Sequence, residues 1–398
     1  MLNYNIDLIN LIKSWIIDYV NKNMVDFYKK SFHDKMVNEL KAIFDGESFY
    51  DKDKKYFTRH IKKAVKSYYK EHMPYRSYIN NKVSHNPSID KIRLKIDLIR
   101  NKPQPEQRTE AWYRFRYDLI TASNASKCLG SQSQKNNIIC EKCADFTMKS
   151  DTQVNHESPM HWGVKYEPLS VLYYEYTYNL KVEDFGCIQH DKYKFLGASP
   201  DGIVVDPSSN MYGRMLEIKN PKSRYIDGIP KDEYWVQMQL QMEVCDLNYC
   251  DFLETKFIEY DNAVEYYDDG TFNKASDGSY KGIILHFMKN GKSHYFYPRF
   301  DISQSEYDKW EDEIIMSKEL EGYEWVAYVY WKLEKVSCVL VLRNKRWFEK
   351  AILEIEKIWD IVERERIDKS WHTRVAKKQV KKPSIPKPPP SQIFHIDI

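Results

Sequence analysis

Residues 199–219 read SPDGIVVDPSSNMYGRMLEIK and contain two short apolar runs of the kind that form β-strands. Asp201 comes just before the first run, and Glu217 and Lys219 lie within the second. Side chains two residues apart on a strand point to the same face, so Glu217 and Lys219 share a face. If the two strands pair as a hairpin, Asp201 lies at the neighbouring edge. Two carboxylates and one ammonium group then meet at one point.

This combination of groups suits the metal-assisted hydrolysis of a phosphodiester. Mg²⁺ and Mn²⁺ prefer carboxylate and carbonyl oxygens as ligands. The ion activates water and neutralises developing charge, and a cation beside the nucleophile assists. Taken alone, Pro-Asp-Gly is a common turn and Glu-x-Lys fits any exposed strand. Together they predict a site for Mg²⁺, with Mn²⁺ able to replace it.

The surrounding chain predicts the fold class. From residue 106 onward helical and strand-like patterns alternate, which indicates an α/β fold with a central mixed sheet flanked by helices. Helices are predicted near 163–179 and 231–245, and an apolar strand at 338–342. A hairpin is predicted around Asn290-Gly291, a pair that favours tight turns.

Three regions are predicted along the chain. Residues 1–105 form an N-terminal helical region, in which residues 54–70 interleave basic and aromatic side chains. That stretch is either a solvated helix face or an auxiliary surface for the DNA backbone. Residues 106–370 form the main domain. Residues 371–398 are basic and proline-rich and predict a flexible tail.

Composition limits the classes of protein that the chain can represent. It has 398 residues, of which 42% are hydrophobic and 30% charged, enough apolar material for a folded core. With 61 basic and 58 acidic residues it is not a uniformly basic coat protein. Seven cysteines, an odd number, favour a reducing compartment. Polar residues interrupt the apolar N-terminus, so we expect a soluble, intracellular protein.

Sequence blocks in a characteristic order resemble the lambda-exonuclease-like family of PD-(D/E)xK nucleases, which includes the YqaJ-type viral recombinases. The resemblance covers residues 106–365 and is strongest between Trp112 and Val244. It implies a restriction-endonuclease-like core with an added N-terminal helical region. The blocks are Glu110-Ala-Trp-Tyr-Arg-Phe-Arg116 with Ile120-Thr-Ala-Ser-Asn124, Gly163-Val-Lys-Tyr-Glu167, Ser199-Pro-Asp-Gly202, Leu216-Glu-Ile-Lys-Asn-Pro221 and Trp235-Val-Gln-Met-Gln-Leu-Gln-Met242.

The resemblance implies a role for each matching residue of the metal site. Asp201, Glu217 and the backbone carbonyl of Ile218 would bind the metal. Glu167 would hold the metal directly or through water. Lys219 would orient and polarise the attacking water.

The remaining blocks imply contacts to the substrate. Gln239 matches the helix glutamine that lines the family's active site. Arg116 and Ser123 match its pocket for a terminal 5′-phosphate, and a guanidinium and a hydroxyl suit phosphate oxygens. The family usually has glycine after the arginine, whereas this chain has Tyr117, which affects the expected shape of the pocket.

The function implied is 5′-to-3′ exonuclease activity on duplex DNA ends in viral recombination, repair or DNA processing. The family context also implies a single-strand annealing protein as partner, a homotrimer, and a viral protein acting in the host cell. Two alternatives remain. One is an endonuclease on DNA or RNA that uses the same metal site, and the other is a non-catalytic DNA-binding recombination accessory protein.

Overall fold

The computed structural model of the protein describes residues 2–45, 54–79, 88–107, 109–147 and 158–374. Most helices begin after a polar residue, as at Ser158, whose hydroxyl accepts from the His161 N–H. The helices of the described residues are α1 (Leu2–Asn23), α2 (Phe32–Phe44), α3 (Lys54–His72), α4 (Ile89–Arg100), α5 (Glu110–Tyr117), α6 (Ala122–Leu129), α7 (Gln132–Cys143), α8 (Pro159–Tyr178), α9 (Asp232–Val244), α10 (Ala263–Asp268), α11 (Gln304–Leu320) and α12 (Lys345–Asp368).

In the described residues, one short strand precedes residue 80, and from residue 120 onward the other strands alternate with these helices. The strands are β1 (Tyr78–Ile79), β2 (Ile120–Thr121), β3 (Val182–Glu183), β4 (Ile188–Gln189), β5 (Leu196–Ala198), β6 (Gly202–Val204), β7 (Met215–Lys219), β8 (Tyr249–Glu259), β9 (Lys281–Lys289), β10 (Lys292–Phe296) and β11 (Glu324–Leu342).

The main sheet runs in the order β10-β9-β11-β8-β7-β6-β3, and β1 pairs with β11. Strands β7 and β8 are parallel, whereas the other pairs of this sheet are antiparallel. A smaller sheet has the order β2-β5-β4, with β2 and β5 parallel. The predicted α/β fold with a central mixed sheet flanked by helices is confirmed.

Strand β11 is much longer than the sequence predicts. Its first half pairs with β9 and its second half with β8, and the register shifts between Leu333 and Lys335. Only residues 338–342 were expected to be a strand. In the first half, apolar and polar residues do not alternate cleanly, because Trp325 and Tyr328 are partly exposed. The pattern that identifies a half-buried strand is therefore absent there.

The predicted hairpin is present between β9 and β10. Asn290 and Gly291 form its turn, with φ angles of 52° and 71°. Two consecutive positive φ values are what a tight hairpin turn requires, and Asn-Gly adopts them at low cost.

One hydrophobic core contains residues from both sides of the predicted boundary at residue 105. The ring of Phe27 packs 5.5 Å from that of Trp235, and Trp235 packs 5.0 Å from Trp347. The indole of Trp347 donates to the carbonyl of Val25 at 3.1 Å. The short segment between α1 and α2 therefore packs directly against α9 and α12.

Residues 375–398 of the predicted tail lie outside the described residues. Arg374, which was expected to belong to that tail, is instead ion-paired with Glu365 of α12, with an Nε–Oε2 distance of 2.7 Å. Within the described part of the chain, no helix combines the length and apolar character needed to cross a membrane.

Candidate active site

Asp201 lies at the point where the chain enters β6. Its N–H donates to the carbonyl of Leu216 at 3.1 Å, and its Oδ2 accepts from the N–H of Ile218 at 2.7 Å. Register pairs between β6 and β7 end at Gly202 and Leu216. The Asp201 carboxylate thus accepts the hydrogen bond from β7 that the next backbone carbonyl of β6 would otherwise accept. This bond holds it at the open edge of β7.

Glu217 and Lys219 lie on one face of β7, and their carboxylate and ammonium groups are ion-paired. The other carboxylate oxygen of Glu217, Oε2, accepts from Nε2 of Gln241 at 2.7 Å. Glu217 is fully buried, whereas the side chain of Lys219 is 25% exposed. Its ammonium group lies 5.2 Å from the centre of the Tyr234 ring. We call Asp201, Glu217 and Lys219 the acid–lysine cluster.

Acidic side chains outnumber basic ones in and around this cluster. Burial and the neighbouring Glu217 and Glu167 carboxylates raise the pKa of Asp201 well above its ordinary value, although Lys219 opposes them. Burial by itself would lower the pKa of Lys219, but the Glu217 and Asp201 carboxylates outweigh it and raise that pKa. The lysine is therefore protonated at neutral pH. One ammonium group faces several acids, an imbalance that a divalent cation would correct.

Glu167 of α8 is exposed and acts on Asp201 through its charge. Within the described ranges, no three or more Asp, Glu, His or Cys side chains are grouped closely enough to hold a metal ion together.

The oxygens at the open edge of β7 nevertheless fit a hard cation. The N–H and C=O of one residue in a strand point to the same side, so the Ile218 carbonyl faces the side on which Asp201 lies. Two carboxylates and this carbonyl form a set of hard donors. In addition, Oε1 of Gln241 is buried beside Glu217 and has no partner in the part of the chain that the structure describes.

The two glutamines of α9 are placed differently from the sequence-based expectation. Gln239 does not line the site, because its Nε2 donates to the carbonyl of Leu342 at 2.9 Å and its Oε1 accepts from the Asn344 N–H at 2.7 Å. It joins α9 to the start of α12. Gln241 is the glutamine that contacts Glu217. The placement expected for Gln239 is corrected accordingly.

Helix periodicity separates the two glutamines only once the contacts of Trp235 and Tyr234 are known from the structure. Gln239 is four residues after Trp235, a core side chain, so the two share one face of the helix. Gln241 is seven residues after Tyr234, whose ring lies under Lys219, and it therefore shares the other face.

Arg116 is at the end of α5, and Ser123 is in the first turn of α6. The guanidinium of Arg116 stacks over the Trp112 ring at 4.4 Å. Ser123 is exposed, and its hydroxyl lies 3.2 Å from that of Thr121. Trp112 thus supports the arginine from behind.

A buried lysine that the sequence gave no reason to select lies beside them. The Lys142 ammonium group donates to the carbonyl of Arg116 at 2.8 Å. Burial, together with the guanidinium groups of Arg116 and Arg366, lowers the pKa of Lys142 to about 8 against the opposing effect of Glu141. We call Arg116, Ser123 and Lys142 the cationic pocket.

Tyr117, which replaces the family's glycine, points away from this pocket. Its hydroxyl donates to the carbonyl of Ala144 at 2.9 Å, and the Arg366 guanidinium stacks over its ring at 4.4 Å. The bulky ring is accommodated between α7 and α12 and leaves the Arg116 side chain on Trp112.

Strand pairing brings the cationic pocket and the acid–lysine cluster to one side of the molecule. Strands β2 and β5 are parallel, with Thr121 opposite Gly197. Parallel strands leave a sheet at the same edge, so Ser123 and Ser199, each two residues further on, lie at that edge. The carbonyl of Ser199 accepts from Nε2 of Gln241 at 3.1 Å. The same amide group that holds Glu217 thus holds the segment leading to Asp201.

Comparisons with known proteins agree with the motif order. The model of the YqaJ-like viral recombinase domain matches residues 111–248. An uncharacterized protein of Acanthamoeba polyphaga mimivirus is 28% identical over 385 residues, covering 86% of this chain and 68% of that protein.

Among solved structures, the chain is similar to an alkaline exonuclease, LHK-Exo, of Laribacter hongkongensis. The identity is 20%, the TM-score is 0.39, and the match covers 67% of this chain and 100% of that one. A phage related exonuclease of Haemophilus somnus is 10% identical with a TM-score of 0.35, covering 63% of this chain and 96% of that one.

The residues matched by the family model include the acid–lysine cluster, Gln241 and the cationic pocket. The resemblance inferred from the motifs is confirmed over residues 111–248, where the chain is similar to the YqaJ-like viral recombinase domain.

Proposed function

We propose that the protein is a Mg²⁺-dependent nuclease that degrades one strand of duplex DNA from its 5′ end. The observation that carries this proposal is the acid–lysine cluster at the open edge of β7, with the cationic pocket at the same side of the molecule. The first group of residues suits hydrolysis of a phosphodiester. The second suits recognition of a terminal phosphate.

Asp201, Glu217 and the Ile218 carbonyl would hold the metal, and Glu167 would hold it directly or through water. The bound ion, Mg²⁺ or Mn²⁺ in its place, would supply Lewis-acid chemistry and neutralise charge on the phosphate. The Glu217 and Asp201 carboxylates raise the pKa of Lys219 and favour its protonated form, which donates hydrogen bonds. Lys219 would orient the attacking water and stabilise charge that develops beside it.

The cationic pocket would select the strand end. A guanidinium forms two parallel hydrogen bonds to phosphate oxygens, and the exposed Ser123 hydroxyl can donate a further one. Lys142 bonds the Arg116 backbone, and its charge adds to the positive potential there. A 5′-phosphate bound in the pocket would set the distance between the first phosphodiester and Asp201.

The family context supports a role in viral DNA metabolism. The YqaJ-like viral recombinase domain favours recombination, repair or processing of viral DNA. The mimivirus relative, an uncharacterized protein, favours a viral source. Degradation from 5′ ends leaves 3′ single strands, which a single-strand annealing protein would use. A ring-shaped homotrimer around the duplex belongs to the same proposal.

One assay with three substrate conditions tests this function. A linear duplex with a labelled 5′-phosphate is incubated with Mg²⁺, in parallel with a covalently closed circle and with the linear duplex in EDTA. We expect labelled mononucleotides from the linear duplex, an intact circle, and no products in EDTA. Cleavage of the circle would instead identify an endonuclease. Binding of duplex without cleavage in Mg²⁺ or Mn²⁺ would identify an accessory protein.

A further inference from the structure

Helix α3 carries a row of basic side chains, which we call the basic stripe. Successive residues of an α-helix are about 100° apart, so the members of this row fall within an arc of about 100°. No other residue of α3 lies within that arc, and all members are exposed. The basic stripe consists of Lys55, Arg59, Lys62, Lys63, Lys66 and Lys70.

The opposite face of α3 fixes the direction in which the stripe points. That face packs into the main hydrophobic core, where Ile61 and Ala64 are fully buried and Tyr68 is nearly so. The helix therefore cannot rotate to bury its charges. An aromatic and aliphatic inner face and a basic outer face give α3 a fixed orientation toward solvent.

The charges of the stripe are not compensated within the described part of the chain. Its members form no ion pair there. Glu71 is the one acidic residue of α3, and it is held by Lys13, with an Nζ–Oε2 distance of 3.0 Å, at the end of the helix. By contrast, basic and acidic residues alternate along α12, where Lys357 pairs with Glu354. An unneutralised row of charges favours a polyanionic partner.

The chain just after α3 is anchored beside the candidate active site. Arg76, four residues after α3 ends, donates to the Pro230 carbonyl at 2.9 Å and pairs with Asp232 at 3.1 Å. Asp232 begins α9, and Tyr234 of the same turn contacts the Lys219 ammonium group. Helix α3 therefore ends close to the side of the fold that carries the acid–lysine cluster.

We propose that the basic stripe binds the phosphate backbone of duplex DNA beyond the scissile end. Lys62, Lys66 and Lys70 rise along the helix in steps of about 6 Å, and the whole stripe is about 22 Å long. B-DNA presents one negative charge per about 1.7 Å of its axis, so several phosphates face such a row. The proposal rests on the proposed function in taking duplex DNA as the substrate.

Duplex binding in EDTA tests this proposal without cleavage. The triple variant Lys62→Gln, Lys66→Gln, Lys70→Gln removes three charges and keeps residues that favour helices. If all three lysines contact phosphates, the slope of log K against log salt becomes shallower by about 2.7, and affinity near 0.15 M salt falls by up to about 100-fold. The measurement is fluorescence anisotropy of a labelled duplex between about 0.05 and 0.3 M salt.

A matched control separates a local effect from one of net charge. The triple variant Lys309→Gln, Lys350→Gln, Lys357→Gln removes three exposed helix lysines outside the stripe. We expect its salt slope to stay within about 0.5 of the wild-type value. Equal slopes and affinities for both variants would overturn the proposal. Loss of binding to phosphatidylserine vesicles, with duplex binding retained, would overturn it in favour of a membrane surface.

The proposal and the nuclease function can fail separately. A wild-type protein that cleaves nothing, but whose duplex binding depends on Lys62, Lys66 and Lys70, would support the stripe and contradict the nuclease. An active nuclease whose duplex affinity is unchanged in the stripe variant would support the nuclease function and contradict the role of the stripe.

Discussion

The acid–lysine cluster and the cationic pocket lie on the same side of the molecule, yet their polar groups are held in different ways. In the cluster, Asp201 is bonded to backbone of β7, and Glu217 is bonded at both oxygens. In the pocket, the Arg116 guanidinium rests on an indole ring and Ser123 faces solvent. The cluster is thus ordered by the fold itself, whereas the pocket keeps donors available for a ligand. Substitutions in the two regions should therefore differ in the size of their effect and in the property that they alter.

The largest effect is expected from the cluster. In Asp201→Asn the amide oxygen can still accept from the Ile218 N–H, but the charge for the metal is lost. Lys219→Ala removes the ammonium group. We expect either change to lower the rate of mononucleotide release on the order of 10³-fold or more. Rates are measured on a linear 5′-phosphorylated duplex.

Thermal unfolding is the control for these two variants, and we expect a folded protein in both cases. Turnover close to that of the wild type in either variant would contradict the assignment of the site.

An intermediate effect separates the two glutamines of α9. Gln241→Leu removes the donor to Glu217, so we expect cleavage to fall by about 10- to 100-fold, the effect of losing a hydrogen bond to a charged group. Gln239→Leu breaks its bonds to Leu342 and Asn344 instead. We expect it to lower the free energy of unfolding by about 1–3 kcal/mol with nearly normal cleavage by the folded protein.

Both quantities are measured for both variants, by chemical denaturation and by initial rates. A catalytic loss confined to Gln239→Leu would restore the original assignment of that residue and refute the role given to Gln241.

The smallest effects are expected from the pocket, and they concern preference more than rate. Arg116→Gln should reduce the ratio of rates on 5′-phosphorylated and 5′-hydroxyl ends by about 10- to 100-fold, because a charge-assisted hydrogen bond contributes about 1.5–3 kcal/mol. Ser123→Ala should reduce the same ratio by roughly 3- to 10-fold, as one neutral hydrogen bond is lost.

Arg114→Gln is the matched control, since Arg114 is exposed on the same helix and faces Phe146 and Glu110. Its ratio should equal that of the wild type. Equal wild-type rates on 5′-phosphorylated and 5′-hydroxyl ends would contradict the role proposed for the pocket.

The sequence predicted the parts of the site that depend on local geometry. Alternation along one strand places Glu217 and Lys219 together, and the Asn290-Gly291 turn follows from the φ preferences of two residues. These features need no knowledge of distant packing. The same holds for the alternating helices and strands that indicated the α/β class.

Features that depend on packing between distant segments could not be predicted. Nearly all residues from Trp235 to Val244 are buried, so α9 has no polar face to show which glutamine points to the site. Lys142 becomes part of the cationic pocket only because α7 packs beside the end of α5. The motif match fixed the helix that supplies the glutamine, but not the side chain that reaches Glu217.

The shared core has a consequence for how this protein can have evolved. Trp235 and Trp347 pack in part against the chain around Phe27 and Val25. A descendant that lost the first hundred residues would expose two indole rings to water. The N-terminal helices therefore do not form an independent unit that can be lost without further change. We expect relatives that lack them to have smaller or more polar side chains at these two positions.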